Sequence, residues 1–443
     1  MVANLASLFA VVVILSGCNL KYSPINSKLS MWIFVEGSGI NYDSSKTATY
    51  PQLTVFNSKL YTIWTEGTTV SQIRVSVYNG NDDAPARKLV DGNGVNGINH
   101  DSTQSAFDPQ LTVFNSKLYA TWYEGNGTAY QIRIAVYNGN DNSPAWSFVD
   151  GNGVNGINKD VTKSAFFPQL TVFNSKLYST WSEAFGAEIY QIRMAVYNGN
   201  DGAPAWSFVD GNGVNGINKD ATKSAYNPQL TVFNSKLYST WFEFYGSKYQ
   251  IRMAVYNGND GAPAWSFVDG NGVTGINKDV TKHAYNPQLI VFNSKLYSTW
   301  YEYNSYAYQI RMAVYNGNDG APAWSFVDGN GINGINKGAT NQAYYPQLTV
   351  FNSKLYSTWS ETSWSETTNN YIYQTRVAVY NGNDGAPEWS FVDGNDVTGL
   401  NKDATKQAYY PQLIVFNSKL YASWFEFNGS VNQIRMVVGQ GLH

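Results

Sequence analysis

The sequence predicts an all-β fold, a seven-bladed β-propeller built from four-stranded antiparallel blades. Three observations point to it. The tripeptide Pro-Gln-Leu recurs seven times, at Pro51, Pro109, Pro168, Pro228, Pro287, Pro346 and Pro411. Successive copies lie 58 to 65 residues apart, and all the length variation falls between one Glu and one Gln, leaving a constant remainder of 52. Finally, the two ends of the chain carry complementary fragments of one repeat. A frame of constant length with one adjustable connection describes a repeated unit that displays a variable loop.

Each element follows from local pattern, and the copy at Pro168 serves for all. Pro168 to Asn174 alternates around Leu170 and Val172 and reads as a first strand, with proline at its opening position. Asn174-Ser175 is a tight turn. Lys176 to Glu183 is a second strand, with Leu177, Ser179, Trp181 and Glu183 on one face. The variable hairpin follows, and Gln191 to Tyr197 is a third strand. Asn198-Gly199-Asn200-Asp201 turns the chain into a fourth strand, Trp206 to Val209. Both sheet faces are rich in apolar or aromatic residues, so the sheets stack face to face. Trp32-Ile33-Phe34-Val35 repeats the fourth-strand motif ahead of the first Pro-Gln-Leu, whereas Pro411 to Val438 supplies three strands and stops. Pairing these fragments closes the ring and removes open sheet edges.

Residues 1–18 differ from the rest. Leu5 to Leu15 is apolar apart from Ser7, too short to span a bilayer, and fits the core of a signal peptide. It ends in Leu15-Ser16-Gly17-Cys18, which resembles the lipobox of bacterial lipoproteins. That resemblance implies lipidation of Cys18, the only cysteine, and a lipid-anchored position in the bacterial cell envelope, surface-exposed or periplasmic. Residues 19–31 then form a short tether, and 32–443 a single propeller domain.

Aromatic residues make up 16% of the chain and charged residues 14%, with a net charge of -3. No basic face exists for nucleic acid. Glu and Arg recur in every copy: Glu66 and Arg74, Glu124 and Arg133, Glu183 and Arg193, Glu243 and Arg252, Glu302 and Arg311, Glu361 and Arg376, Glu426 and Arg435. Catalysis needs unlike residues converging at one place, so seven equivalent pairs are expected to be structural ion pairs that pin one blade to the next. Asp210, Asn212, Asn215, Asn218 and Asp220 superficially suggest a calcium loop, but their spacing does not match one. His100, His283 and His443 are isolated. No metal and no cofactor is expected.

Asp201, five residues before Trp206, resembles the Asp-box of bacterial sialidases, with Ala203 at the box's Gly position and Pro204 added. From Trp32 to Val438 the chain resembles highly repetitive bacterial surface propellers, sialidase-like and lectin-like in architecture. The resemblance implies that the variable hairpins and the residues preceding Pro-Gln-Leu share one face, the top. The hairpin rings Phe185, Tyr190, Phe244, Tyr245, Tyr249, Tyr303, Tyr306, Tyr308, Trp364, Tyr371, Tyr373 and Phe427 are the candidate ligand contacts, because flat amphipathic rings suit sugar or protein surfaces. The expectation is therefore a monomeric, non-enzymatic binding module for a glycan or a surface protein, held to the membrane through Cys18. The alternatives are a glycosidase- or lyase-like enzyme at the channel mouth and an envelope scaffold. An enzyme requires one unusual cluster of acids or histidines, and the sequence displays none.

Overall fold

The computed structural model describes residues 31–442 apart from 38, 93, 152, 187–188, 212–214, 271–274, 330–332 and 395–398. The leader, Cys18, the tether up to residue 30 and His443 lie outside the described residues. Seven four-stranded antiparallel sheets form the ring. In chain order the first six blades span Thr47–Leu89, Ala106–Phe148, Ala165–Phe208, Ala225–Phe267, Ala284–Phe326 and Ala343–Phe391. The seventh joins Ala408–Phe416, Lys419–Phe427 and Asn432–Gln440 to the opening strand Met31–Phe34, with Trp32 opposite Gly439 and Phe34 opposite Val437. Closure is thus made by the two ends of the chain, as their fragments predict.

Blade geometry follows from the repeated residues. Asn174 and Ser175 both adopt positive φ, 47° and 58°, the mirror-image turn whose twist suits a two-residue hairpin. In the third blade Trp181 lies opposite Arg193 and Tyr178 opposite Val196. Trp181 is fully buried and meets Phe208 edge-on, 6.0 Å between centroids. Gly216 must be glycine, because its φ is +59° and a Cβ would stand 2.4 Å from the Ile192 carbonyl oxygen.

Neighbouring blades are tied at three levels. The Trp206 indole donates to the Val149 carbonyl of the preceding blade at 2.8 Å, and Trp146, Trp265, Trp324, Trp389 and Trp32 repeat the bond. On the bottom face Asp201 accepts from Tyr197 of its own blade at 2.8 Å and from Tyr119 of the blade before at 3.0 Å, and Lys117 pairs with it. The Asp-box-like residue is therefore an inter-blade clamp. On the top face Asn218 accepts from Ile192 N–H and donates to the Tyr190 and Lys223 carbonyls, anchoring the incoming loop. Of the residues that suggest a calcium loop, Asn218 is thus engaged by the chain itself, as are Asp210 with Arg193 and Asp220 with Thr222.

Two local expectations are corrected. The first strand opens at Ala165, not at Pro168, and a bulge between Phe166 and Gln169 accommodates the proline, whose missing N–H is not needed there. The Glu–Arg pairs are also repartnered. Glu183 accepts the Trp181 indole and the backbone N–H groups of Lys159 and Asp160 at 2.8–2.9 Å. Arg193 reaches Asp210 at 3.1 Å, and Arg74, Arg252, Arg311 and Arg376 likewise pair with Asp91, Asp269, Asp328 and Asp393. Arg435 instead meets Glu36 at 3.0 Å, with Glu426 at 3.9 Å. The physical reason is donor supply: the loop offers two N–H groups to the glutamate, which leaves the aspartate past the fourth strand to balance the guanidinium.

Candidate active site

Seven residues that precede Pro-Gln-Leu converge on the axis of the ring. Tyr50, Asp108, Phe167, Asn227, Asn286, Tyr345 and Tyr410 line a cavity of about 130 Å³, with a ring of glutamines that includes Gln52, Gln110 and Gln229. All seven have positive φ, from 48° to 58°. A residue before proline ordinarily prefers extended backbone, and an αL conformation costs a non-glycine residue about 1–3 kcal/mol. The bulge in each first strand imposes it, and a bulge re-aims a side chain. Here it aims seven side chains into one opening.

The frame repeats but its contents do not. Tyr345 stacks on Tyr410 at 3.8 Å between centroids, and Tyr50 meets Tyr410 edge-on at 4.6 Å. Across the opening Asn227 donates to Asn286 at 3.2 Å, and Gln169 donates to Gln229. Asp108 is the single acid of the seven. Burial pushes its carboxyl up to about 7. Tyr50 is pushed up to about 12, first by burial and then by the Asp108 charge. Tyr410 is raised further by burial and by Tyr50, Tyr345 and Asp108. The mouth therefore holds one carboxyl poised at neutral pH beside phenols that keep their protons. Such perturbation clusters at functional sites.

The sequence places these residues at the channel mouth but gives no sign of Asp108's environment. The available signal was chemical: one acid at a repeated position otherwise filled by aromatic and amide residues.

The twelve hairpin rings fall into two sets. Phe185, Tyr306, Trp364, Tyr371 and Phe427 are exposed. Tyr190, Phe244, Tyr245, Tyr249, Tyr303, Tyr308 and Tyr373 are half-buried. Most of these seven join a collar of touching rings around the top: Tyr190 meets Tyr226 at 5.0 Å, Tyr249 meets Phe242 at 5.3 Å, Tyr308 meets Tyr344 at 5.3 Å and Tyr373 meets Tyr409 at 4.9 Å. Tyr245 instead lies under the Arg252 guanidinium. In the first blade the collar positions hold Thr49, Thr65 and Ser71. His283 accepts Tyr249 N–H at 3.2 Å, and His100 meets Phe148 edge-on at 4.8 Å.

No protein family matches the sequence, and no curated protein does. Solved structures share the fold. The crystal structure of polysaccharide lyase Uly1 is similar at 10% identity, over 87% of this chain and 88% of that one, with a TM-score of 0.53. Trypanosoma rangeli sialidase in complex with sialic acid is similar at 10% identity, over 89% of this chain and 54% of that one, with a TM-score of 0.45. The α-L-arabinofuranosidase from Lactobacillus brevis is similar at 13% identity, over 62% of this chain and 93% of that one, with a TM-score of 0.37. At such identity the likeness is one of fold: the chain is a seven-bladed propeller similar to sialidase-like and glycoside hydrolase propellers.

The expectation of a non-enzymatic binding module working through its hairpins is overturned. A solved structure that shares the fold over most of both chains is that of a polysaccharide lyase. Seven of the twelve candidate hairpin rings are half-buried rather than displayed. The unlike residues that the sequence did not reveal as a cluster meet at the channel mouth.

Proposed function

We propose that the protein is a carbohydrate-active enzyme whose acid–base chemistry takes place at the channel mouth, and that elimination from an acidic polysaccharide is the reaction this site fits best. One observation carries the reading: among seven geometrically equivalent side chains, a single carboxyl sits beside Tyr50 and Tyr410 and is held near neutral by burial. A general base works best with a pKa near the operating pH. Asp108 takes the proton from the carbon next to a uronate carboxyl. The bond from the adjacent ring carbon to the glycosidic oxygen breaks, a C=C bond forms, and Tyr50 returns a proton to the departing oxygen. Tyr410 and the glutamine ring donate hydrogen bonds to the charge that builds on the uronate. A two-carboxylate hydrolase fits less well, because it needs a second acid about 5–10 Å from the first, and Asp108 is the one acid lining the mouth among the described residues. The fold shared with a polysaccharide lyase supplies the first substrates to try. The leader ending in Cys18 favours an envelope location, where such polymers are met.

The test is incubation of the chain with uronate-containing polysaccharides, followed through the absorbance of the unsaturated product. Asp108→Asn is expected to lose about 10²–10⁴-fold in rate. Undiminished cleavage by that variant, or failure of the native protein on every uronate polymer, would refute the assignment.

A further inference from the structure

The collar of rings around the top face is not closed. Each blade contributes one position from its first strand, next to the residue that lines the mouth, and one from its third strand. From Phe107 in the second blade to Tyr409 in the seventh, eleven consecutive positions are aromatic. Every neighbouring pair is in ring contact, with centroids 4.9–6.3 Å apart and planes tilted by 38–67°. The next three positions are Asn432, Thr49 and Ser71. Their register is that of the rings: Thr49 pairs with Thr65 as Phe107 does with Tyr123, and Ser71 with Gly67 as Tyr130 does with Gly125. Asn432 likewise pairs with Phe427.

The gap falls where the mouth is chemically unlike the rest. Thr49 precedes Tyr50, and the rings that flank the gap, Tyr409 and Phe107, precede Tyr410 and Asp108. The acid and its two phenols therefore stand on the axis side of the gap. Two further features lower the rim there. The first blade has the shortest variable hairpin, six positions from Glu66 to Gln72 against seven to thirteen elsewhere. Thr65 also stands where the second, fourth, fifth and seventh blades carry Tyr123, Phe242, Tyr301 and Phe425.

What replaces the rings is polar. Asn432, Thr49 and Ser71 are half-buried, so each keeps part of its surface in solvent. Ser71 N–H donates to Ser105 Oγ at 3.1 Å, and the Ser71 and Asn432 carbonyls accept from Asn99 and Asn41 at 3.0 and 3.2 Å. Backbone groups make these bonds, and the side-chain hydroxyl and amide take no part in them.

We propose that this gap is a substrate groove, in which a hexuronate polymer crosses the rim over Asn432, Thr49 and Ser71 and reaches Asp108. Sugar hydroxyls that leave water need replacement hydrogen bonds. The three side chains supply donors and acceptors, whereas the mutually tilted rings of the collar offer no continuous flat platform.

The groove rests on the proposed reaction for its role, and the experiment separates the two. The whole protein carrying Asp108→Asn is titrated calorimetrically with polygalacturonate, alginate and chondroitin sulfate in turn, and at least one polymer is expected to bind. Thr49→Tyr combined with Ser71→Tyr installs the residues of other blades and closes the collar. That double variant should keep native unfolding behaviour and lose about tenfold or more in affinity, the equivalent of one or two hydrogen bonds. Ser71→Tyr alone, the milder change, should lose part of it. Tyr226→Thr, which opens a gap in the fourth blade, should bind as the parent does. No binding of any of the three polymers, undiminished binding by the closed collar, or an equal loss in Tyr226→Thr would overturn the groove. Failure of the native protein to cleave a polymer that it binds through the gap would refute the reaction and leave the groove standing.

Discussion

Replacing Asp108 with asparagine tests the environment of the channel mouth without any substrate. The carboxyl rises from 3.8 to about 7 because burial disfavours its charge. Three units at about 1.4 kcal/mol each give ~4 kcal/mol. The sign is fixed by linkage. Below pH 3.8 the acid is protonated in both folded and unfolded chains, and the stability it permits is fully present. As pH rises toward 7, the unfolded chain ionises freely and the folded one does not. Stability is therefore lost through that window, down to a ceiling of ~4 kcal/mol above it. Asparagine has nearly the same shape and no charge to desolvate. The variant should match the native protein near pH 4 and exceed it at pH 8. For roughly 400 residues at about 2 cal/mol/K each, the gain corresponds to an upward shift of up to ~5 °C in Tm. Thermal and urea unfolding at the two pH values would measure it. An equal shift at both, or a variant less stable at pH 8, would refute the claim that burial holds this carboxyl near neutral.

Other outcomes follow from the seams between blades. Glu36 is 4% exposed and pairs with Arg435 and Lys402 where the chain ends meet; Glu36→Gln should cost ~3–5 kcal/mol by stranding buried charge, and an unchanged unfolding midpoint would show that closure does not depend on it. Asp201→Ala removes the acceptor shared by Tyr119 and Tyr197, with an expected loss of ~2–4 kcal/mol read by urea unfolding. Burial works to raise the Asp201 carboxyl, but hydrogen bonds from Lys117, Tyr197 and Tyr119 outweigh it and hold it low. The stability it contributes is present above pH 3.8 and fades as acid protonates it, so the penalty of the alanine variant should shrink on acidification.

The architecture was legible because its signals are redundant. Seven copies of one pattern, a Trp-containing fragment at one end and an unfinished blade at the other left few other arrangements for the strands. Partner choice was not legible, and Arg193 shows why. A Glu lies ten residues before Arg193 and an Asp seventeen after it, so recurrence alone cannot say which acid it meets. The backbone decides, by offering the glutamate two N–H groups from the incoming loop. The bulge at Phe167 was hidden for a related reason. Proline at a strand opening and proline inside a bulged strand satisfy the same local rule, and only the pairing of Ala165 with Glu183 and of Gln169 with Thr180 separates them.

A ring of near-identical blades has a chemical handicap: any residue placed by the repeat appears seven times, and catalysis needs unlike groups. The bulge before each proline resolves it. It holds the backbone fixed at positive φ and lets one side chain per blade change without disturbing the frame, since that chain points into the channel rather than into a seam. The second blade departs with Asp108 on its inner strand. Mutational sensitivity to anionic ligands should therefore be uneven around the ring. Changes at Asn227 or Asn286, across the opening in the fourth and fifth blades, should matter less to uronate cleavage than a change at Asp108.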